Sequence, residues 1–289
     1  MDTTRRTLFR TLAAAATMSV LPSAAEARER RVAPNDAVGL LYDTTLCIGC
    51  KACVVACKAA NNMPADVDGY GGGIYDAPEG LNGTTKNVIQ LYREGDRSSY
   101  VKKQCMHCVD PACVGACMLG ALQKGPYGIV AYDPAKCVGC RYCEAVCPFN
   151  VPKFEWAKTA PKIVKCELCR HRIAKGKQPA CSEVCPRGAV IYGKYTDLLD
   201  EAHQRLERDP GKYVPKVYGE REVGGTQVLY LSHVPFEKLG FRFHDEQAVP
   251  HVQQTVQHGV YQGFAAPVAL YALLGAVMFR NRRGGSDDQ

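Results

Sequence analysis

The sequence predicts a loop-rich α+β fold of two cysteine-rich modules, finished by a single C-terminal transmembrane helix. Three observations predict it. All 16 cysteines of this 289-residue chain fall into four tetrads of closely related spacing. The tetrads are of two kinds that alternate along the chain. Near the C-terminus, Gly259 to Phe279 forms an almost unbroken apolar run.

At the N-terminus, Thr4-Arg5-Arg6-Thr7-Leu8-Phe9-Arg10 precedes an apolar run from Leu12 to Leu21. Ala25-Glu26-Ala27 then offers small residues for cleavage. Residues 1–27 therefore read as a signal peptide, and the paired arginines predict the twin-arginine route, which exports folded proteins. Leu8-Phe9 stands where Phe-Leu is more usual. The mature fold begins after this segment.

Residues 40–195 hold the cysteines. The tetrads are Cys47, Cys50, Cys53 and Cys57; Cys105, Cys108, Cys113 and Cys117; Cys137, Cys140, Cys143 and Cys147; and Cys166, Cys169, Cys181 and Cys185. The first and third read C-x2-C-x2-C-x3-C, the bacterial ferredoxin run that holds cubane iron–sulfur clusters. Sixteen thiolates at four per cluster make four [4Fe–4S] clusters. The pattern suits the metal because a cubane needs sulfurs from several directions, and C-x2-C turns two of them toward one cluster. In such a run the fourth cysteine ligates the other cluster of a pair. Pro148 and Pro186 follow tetrads three and four and fix φ there, whereas Lys58 and Met118 follow tetrads one and two. Zinc sites place cysteine pairs about a dozen residues apart rather than three or four cysteines within one short run. Disulfide scaffolds are usually short chains.

The repeat organises these ligands. Asp43-x3-Cys47-Ile-Gly-Cys50-Lys-x-Cys53 matches Asp133-x3-Cys137-Val-Gly-Cys140-Arg-x-Cys143. Cys113-x3-Cys117-x2-Gly120-Ala121-Leu122 matches Cys181-x3-Cys185-x2-Gly188-Ala189-Val190. The order a, b, a′, b′ predicts two ferredoxin-like dicluster modules, each with one unit of each kind. An inner module over 105–150 would combine tetrads two and three, around a β-hairpin of Ala121–Lys124 and Ile129–Tyr132. An outer module of 40–60 plus 160–195 would combine tetrads one and four. Pairing one with two and three with four is the alternative, and spacing does not decide between them.

The remaining segments carry weaker signals. Asn61 to Ser99, rich in Gly, Asn and Asp, reads as a surface insertion. In the C-terminal extension, 196–258, Thr196 to Leu206 has helical periodicity. Val228 to Leu231 reads as a strand after Gly224-Gly225. His244, His251 and His258 are nominal haem or quinone ligands, but structural roles are commoner for single histidines. Trp156 reads as a packing residue, and Lys51, Arg141 and Arg170 as charges beside ligands. The run 259–279, at about 1.5 Å per residue, is about 31 Å long and can cross a bilayer. Arg280, Arg282 and Arg283 follow it, so the tail 280–289 is expected in the cytoplasm and the body outside.

Composition excludes some classes. The net charge of +7 comes without a basic stripe interleaved with aromatics, so nucleic acid is not an expected partner. Low aromatic content, 8%, and 27 glycines predict a fold stapled by clusters more than by a large apolar core. No acid–base or nucleophile constellation is visible, so no catalytic residue is assigned.

The tetrad order, with Gln104-Cys-Met-His-Cys-Val-Asp-Pro-Ala-Cys, Cys137-Val-Gly-Cys-Arg-Tyr-Cys and Lys165-Cys-Glu-Leu-Cys, resembles the four-cluster iron–sulfur subunits of molybdopterin oxidoreductases and related membrane complexes. The signal, Gly224-Gly-Thr-Gln-Val-Leu and the single anchor are most similar to the iron–sulfur subunit of the hydrogenase-2 type [NiFe] hydrogenase. The resemblance implies the pairing that spacing leaves open. Cys47, Cys50, Cys53 and Cys185 would hold one cluster, and Cys57, Cys166, Cys169 and Cys181 its neighbour. Cys105, Cys108, Cys113 and Cys147 would hold a third, and Cys117, Cys137, Cys140 and Cys143 the fourth. It also implies an electron-transfer role between the [NiFe] hydrogenase small and large subunits and an integral-membrane quinone-interacting subunit, at the periplasmic face of the bacterial inner membrane. A formate dehydrogenase β subunit is the alternative.

Overall fold

A computed structural model describes residues 31–65, 78–242, 246–250 and 267–279. The expected signal peptide, His244, His251, His258 and the tail 280–289 lie outside the described residues. The chain divides into a body, Arg30–Pro250, and a second unit made of Met1–Glu29 and His251–Gln289.

In the body, strand β1 (Val38–Asp43) runs into tetrad one, whose helix α1 spans Ala52–Ala60. A long hairpin follows, β2 (Asn87–Glu94) and β3 (Arg97–Gln104), paired antiparallel along its whole length. Helix α2 (Ala112–Gly115) lies in tetrad two. Strands β4 (Leu122–Lys124) and β5 (Val130–Tyr132) form the expected hairpin, with Leu122 opposite Tyr132 and a tight turn over Pro126–Gly128. Helix α3 (Tyr142–Ala145) lies in tetrad three. A short ladder, β6 (Lys153–Phe154) with β7 (Ile163–Val164), leads to tetrad four and its helices α4 (Arg170–Ile173) and α5 (Ala180–Glu183). Strand β8 (Val190–Lys194), helix α6 (Tyr195–Arg208) and strand β9 (Val228–Leu231) complete the body.

The internal repeat becomes a structural repeat. β1 pairs antiparallel with β8, placing Tyr42 opposite Val190, as β5 pairs with β4 and places Tyr132 opposite Leu122. The Asp43 N–H donates to Ala189 at 2.9 Å, and the Asp133 N–H to Ala121 at 2.8 Å, which are matching positions of the repeat. Helix α1 packs on α5, and α2 on α3. Tetrads one and four thus share one folded unit, and tetrads two and three the other.

The outer sheet has one strand more than the inner. Its order is β8-β1-β9, with β9 parallel to β1 and Leu41 opposite Leu229. Gly39 permits this approach: a Cβ there would lie 2.2 Å from the Gln227 carbonyl oxygen. Helix α6 covers the sheet with Leu198 and Ala202, which pack with Leu41, Leu229 and Leu231.

Two expectations are corrected. Asn61 to Ser99 is not only a surface insertion: β2 and β3 contribute Val88, Ile89 and Val101 to the interior. Polar composition concealed a hairpin with one buried face. The core is also larger than glycine content suggests, because the C-terminal extension adds an aromatic cluster of Tyr218, Tyr230, Phe236 and Phe241, with ring centroids 4.7–6.4 Å apart.

In the second unit, residues 267–279 form a helix with exposed side chains. No helix among the described residues is long and apolar enough to cross a membrane. The described part of the expected anchor is about 20 Å long at 1.5 Å per residue, short of the ~30 Å hydrocarbon core, and residues 259–266 lie outside the described residues.

Candidate iron–sulfur sites

Each C-x2-C pair is built by the same backbone device. The residue before the second cysteine has positive φ in all four: Gly49 (71°), His107 (49°), Gly139 (72°) and Leu168 (52°). A left-handed residue turns successive N–H groups to one side, making a concavity that favours anionic sulfur. Three of these turns aim an N–H at the first thiol. Gly49 N–H donates to Cys47 Sγ at 3.5 Å, Gly139 to Cys137 Sγ at 3.4 Å, and Leu168 to Cys166 Sγ at 3.3 Å. Further donors are Ala121 N–H to Cys117 Sγ at 3.2 Å and Asn61 Nδ2 to Cys57 Sγ at 3.7 Å. At Gly49 a Cβ would lie 2.2 Å from the Tyr100 ring, so any larger residue forces that ring to move.

The repeat also carries a tyrosine. Tyr42 and Tyr132 precede the matching aspartates; Tyr42 Oη donates to the Tyr100 carbonyl at 2.9 Å, and Tyr132 Oη accepts from Ile163 N–H at 3.3 Å. Asp43 Oδ1 accepts from Thr45 N–H at 2.9 Å, and Asp133 Oδ1 from Ala135 N–H at 3.0 Å, fixing the approach to each first ligand.

The structure gathers the cysteines across tetrads. Cys47, Cys50, Cys53 and Cys185 line one small cavity. The neighbours that raise the pKa of Cys57 include Cys181 and Cys169. For Cys108 they are Cys147, Cys113 and Cys105, and for Cys143 they are Cys117, Cys137 and Cys140. Cys166 also senses Cys105, so the outer and inner sets adjoin there. Burial is the main cause of the raised thiols: Cys53 and Cys113 are pushed up to about 12, Cys57 and Cys143 to about 11. Such thiols give up their protons to a metal rather than to water, so loading releases protons.

These donors fit an iron–sulfur cube. Among the described residues no three His, Cys, Asp or Glu side chains could hold a single metal ion, whereas a cube takes its thiolates on separate corners. One buried donor is orphaned as well. His107, between Cys105 and Cys108, accepts the Val130 N–H through Nδ1 at 3.1 Å, which leaves the proton on Nε2, and Nε2 is buried without a protein partner. Burial, then Lys165 and Lys124, holds its pKa well below the ordinary histidine value, so the ring stays neutral.

Other sequence candidates take different places. Trp156 is exposed and stacks edge-on against Phe154 at 5.0 Å, with Arg141 4.6 Å from its ring centroid. Arg170 pairs with Glu167 at 3.0 Å and donates to the Tyr132 carbonyl at 2.9 Å. Lys51 caps α1 in a left-handed conformation. Two buried polar residues beside the thiols and between the modules escaped sequence reasoning. Lys102 is fully buried among thiols, with Gln104 Oε1 as its hydrogen-bond partner. Buried Gln227 joins the modules: its Nε2 donates to Val38 O at 2.7 Å and Tyr127 O at 2.9 Å, and its Oε1 accepts from Lys124 at 2.8 Å. The flanking Gly224 and Gly225, at φ 84° and 97°, turn that segment into tetrad two, where Val109 N–H donates to Gly225 O at 2.9 Å.

Paired turns, thiols shared across tetrads and N–H groups aimed at sulfur define an iron–sulfur protein of the ferredoxin dicluster class. A 4Fe-4S dicluster domain model matches residues 97–195. The chain is 39% identical to the hydrogenase-2 operon protein HybA of Escherichia coli O157:H7, over 93% of this chain and 92% of that protein. It is 38% identical to the nitrate-inducible formate dehydrogenase iron–sulfur subunit of E. coli K12, over 68% of each chain. It is 36% identical to the formate dehydrogenase iron–sulfur subunit of Haemophilus influenzae, over 74% of this chain and 69% of that one. The chain belongs to the HybA-related family of iron–sulfur electron-transfer subunits.

Proposed function

We propose that the protein relays single electrons through four [4Fe–4S] clusters, from the small and large subunits of a [NiFe] hydrogenase to an integral-membrane, quinone-interacting subunit. The observation that carries this reading is the structural repeat, which gathers sixteen thiols into two modules that adjoin at Cys166 and Cys105. The proposed ligand sets are Cys47, Cys50, Cys53 and Cys185; Cys57, Cys166, Cys169 and Cys181; Cys105, Cys108, Cys113 and Cys147; and Cys117, Cys137, Cys140 and Cys143. The bound clusters supply one-electron redox chemistry. The chain's own residues hold the thiols in place, exclude water and aim N–H dipoles at sulfur. Similarity to HybA over nearly the whole chain supports the hydrogenase partner.

We place the body at the periplasmic face of the inner membrane, held by 259–279 with 280–289 in the cytoplasm. The paired Arg5-Arg6 and the Arg280, Arg282 and Arg283 cluster support that orientation. Similarity to formate dehydrogenase subunits supports a second reading, as the β subunit of a molybdopterin enzyme.

Anaerobic purification with iron and sulfide analysis is expected to give about sixteen of each per chain, four per cubane. An iron-free protein overturns the cluster reading. Pull-down from solubilised membranes is expected to recover nickel–iron subunits, and recovery of a molybdopterin subunit instead selects the second reading.

A further inference from the structure

Lys102 lies in strand β3 with its side chain wholly inside the body. A buried ammonium without a counter-charge is costly, so its surroundings must account for it. Those surroundings contain no carboxylate among the strongest electrostatic partners, which are Cys181, Cys53, Cys166 and Cys57. The relation is mutual: Lys102 favours the thiolate form of Cys53, Cys57, Cys166 and Cys169. Five thiols therefore share the field of one buried cation, and Ile89, its partner across the hairpin, lines the cavity of Cys47, Cys50, Cys53 and Cys185. Four are the entire proposed ligand set of one outer cluster, and the fifth, Cys53, belongs to the other.

The other buried lysines differ. Lys58 is held by the Pro64 and Thr84 carbonyls at 3.1 and 2.8 Å, and Lys165 by the Val130 and Cys166 carbonyls. Their ammonium groups serve as ties between loops. Lys102 bonds Gln104 Oε1, two residues along its own strand, and ties nothing together. Packing alone would be met by methionine, which has similar length and no charge to bury. What an ammonium adds is its field. Each electron taken up makes a thiolate-ligated cluster more anionic, and a fixed cation in a low-dielectric interior favours that state.

We propose that Lys102 is a positioning charge for electrons: a permanent cation shared by the two clusters of the outer module that raises both reduction potentials. The effect is greatest at the cluster of Cys57, Cys166, Cys169 and Cys181, whose four ligands all share its field. The inference rests on the ligand sets proposed above and assigns to one side chain a control of potential within them.

The test is a redox titration, followed by electron paramagnetic resonance, of the full-length protein carrying Lys102→Met or Lys102→Arg. Iron and sulfide are measured on the same samples. Lys102→Met is expected to keep its iron and to lower the reduction equilibrium constant of the Cys169-ligated cluster about tenfold or more, equivalent to about 59 mV for one electron. The Cys50-ligated cluster should shift less in the same direction, and Lys102→Arg should stay near wild type. Full iron with unchanged outer potentials overturns the proposal. If Lys102→Met does not retain iron, Gln104→Glu sets a carboxylate against the same ammonium and must lower the same potentials; no shift there overturns the proposal equally. Iron-poor wild-type protein would instead refute the cluster reading beneath it.

Discussion

Replacing Asp43 and Asp133 by alanine separates two aspartates that occupy the same place in the repeat. Asp43 ends β1, Asp133 directly follows β5, and each accepts an N–H from two residues later. Losing that turn bond costs about 1 kcal/mol in either module. Asp43 has more to lose. It is 1% exposed, and its Oδ2 accepts from Tyr213 Oη at 2.8 Å and Arg205 Nη1 at 3.2 Å. The alanine variant strands a buried hydroxyl and half-strands an arginine that keeps only Glu201, at 2.7 Å. Breaking a buried pair costs roughly 3–5 kcal/mol, and the surviving Glu201 contact argues for the lower end, about 3. Asp133 is 48% exposed at its side chain and meets only Lys136 at 3.8 Å, a contact of small value. The expected gap between the variants is about 3 kcal/mol, or about 6–12 °C in unfolding midpoint for a body of this size. Thermal unfolding of anaerobic, fully loaded protein, followed by circular dichroism at one scan rate, reads that gap. Equal midpoints for Asp43→Ala and Asp133→Ala would refute the reasoning, since the claim is that burial, not the shared motif, sets the cost.

Three further outcomes are expected. Cys185→Ala should abolish the same paramagnetic signal as Cys50→Ala, and Cys57→Ala the same one as Cys169→Ala; a Cys185 variant that instead tracks Cys166 would show that the clusters are not bridged across tetrads. Gly49→Ala should cost about 1 kcal/mol for its left-handed backbone and more for the Tyr100 ring that must move, so cluster loss in air should be faster than in Gly139→Ala, where the nearest ring atom is 3.1 Å from the added carbon rather than 2.2 Å. Gln227→Leu leaves two carbonyls and Lys124 without their amide partner, at about 1–3 kcal/mol for each buried group that water cannot reach, and protease should then open the joint between the modules before either module itself.

Much of the site was legible because its signals are local. C-x2-C turns, the hairpin around Pro126-Tyr127-Gly128, the amphipathic run of α6 and the apolar β9 each announce themselves within a dozen residues. The pairing of tetrads was not legible from spacing, because tetrad three lies about as near to tetrad four as to tetrad two along the chain. What brings tetrad one beside tetrad four and tetrad two beside tetrad three is β1 meeting β8 and β4 meeting β5, contacts across very different sequence separations. Hairpin β2–β3 was missed because serines and lysines mask its alternation. Lys102 still left a trace: in adjacent Lys102-Lys103 on a strand leading to Cys105, one side chain must point opposite to the other. Lys103 reaches the Phe241 ring at 3.4 Å and the Leu239 carbonyl at 2.8 Å, and Lys102 goes inward.

The sheet order β8-β1-β9 has a consequence for biosynthesis. The inner module is contiguous and can close as soon as it leaves the ribosome. The outer one starts with β1 and is complete only when β9 arrives, after roughly 190 further residues, which takes on the order of ten seconds or more at ordinary elongation rates. Cys47 to Cys57 wait until position 185 for their proposed partner Cys185, and until β9 for the third strand of their sheet. The nascent chain must therefore keep its oldest thiols reduced and unclaimed for longest, and iron delivery to the outer module belongs after translation is nearly finished.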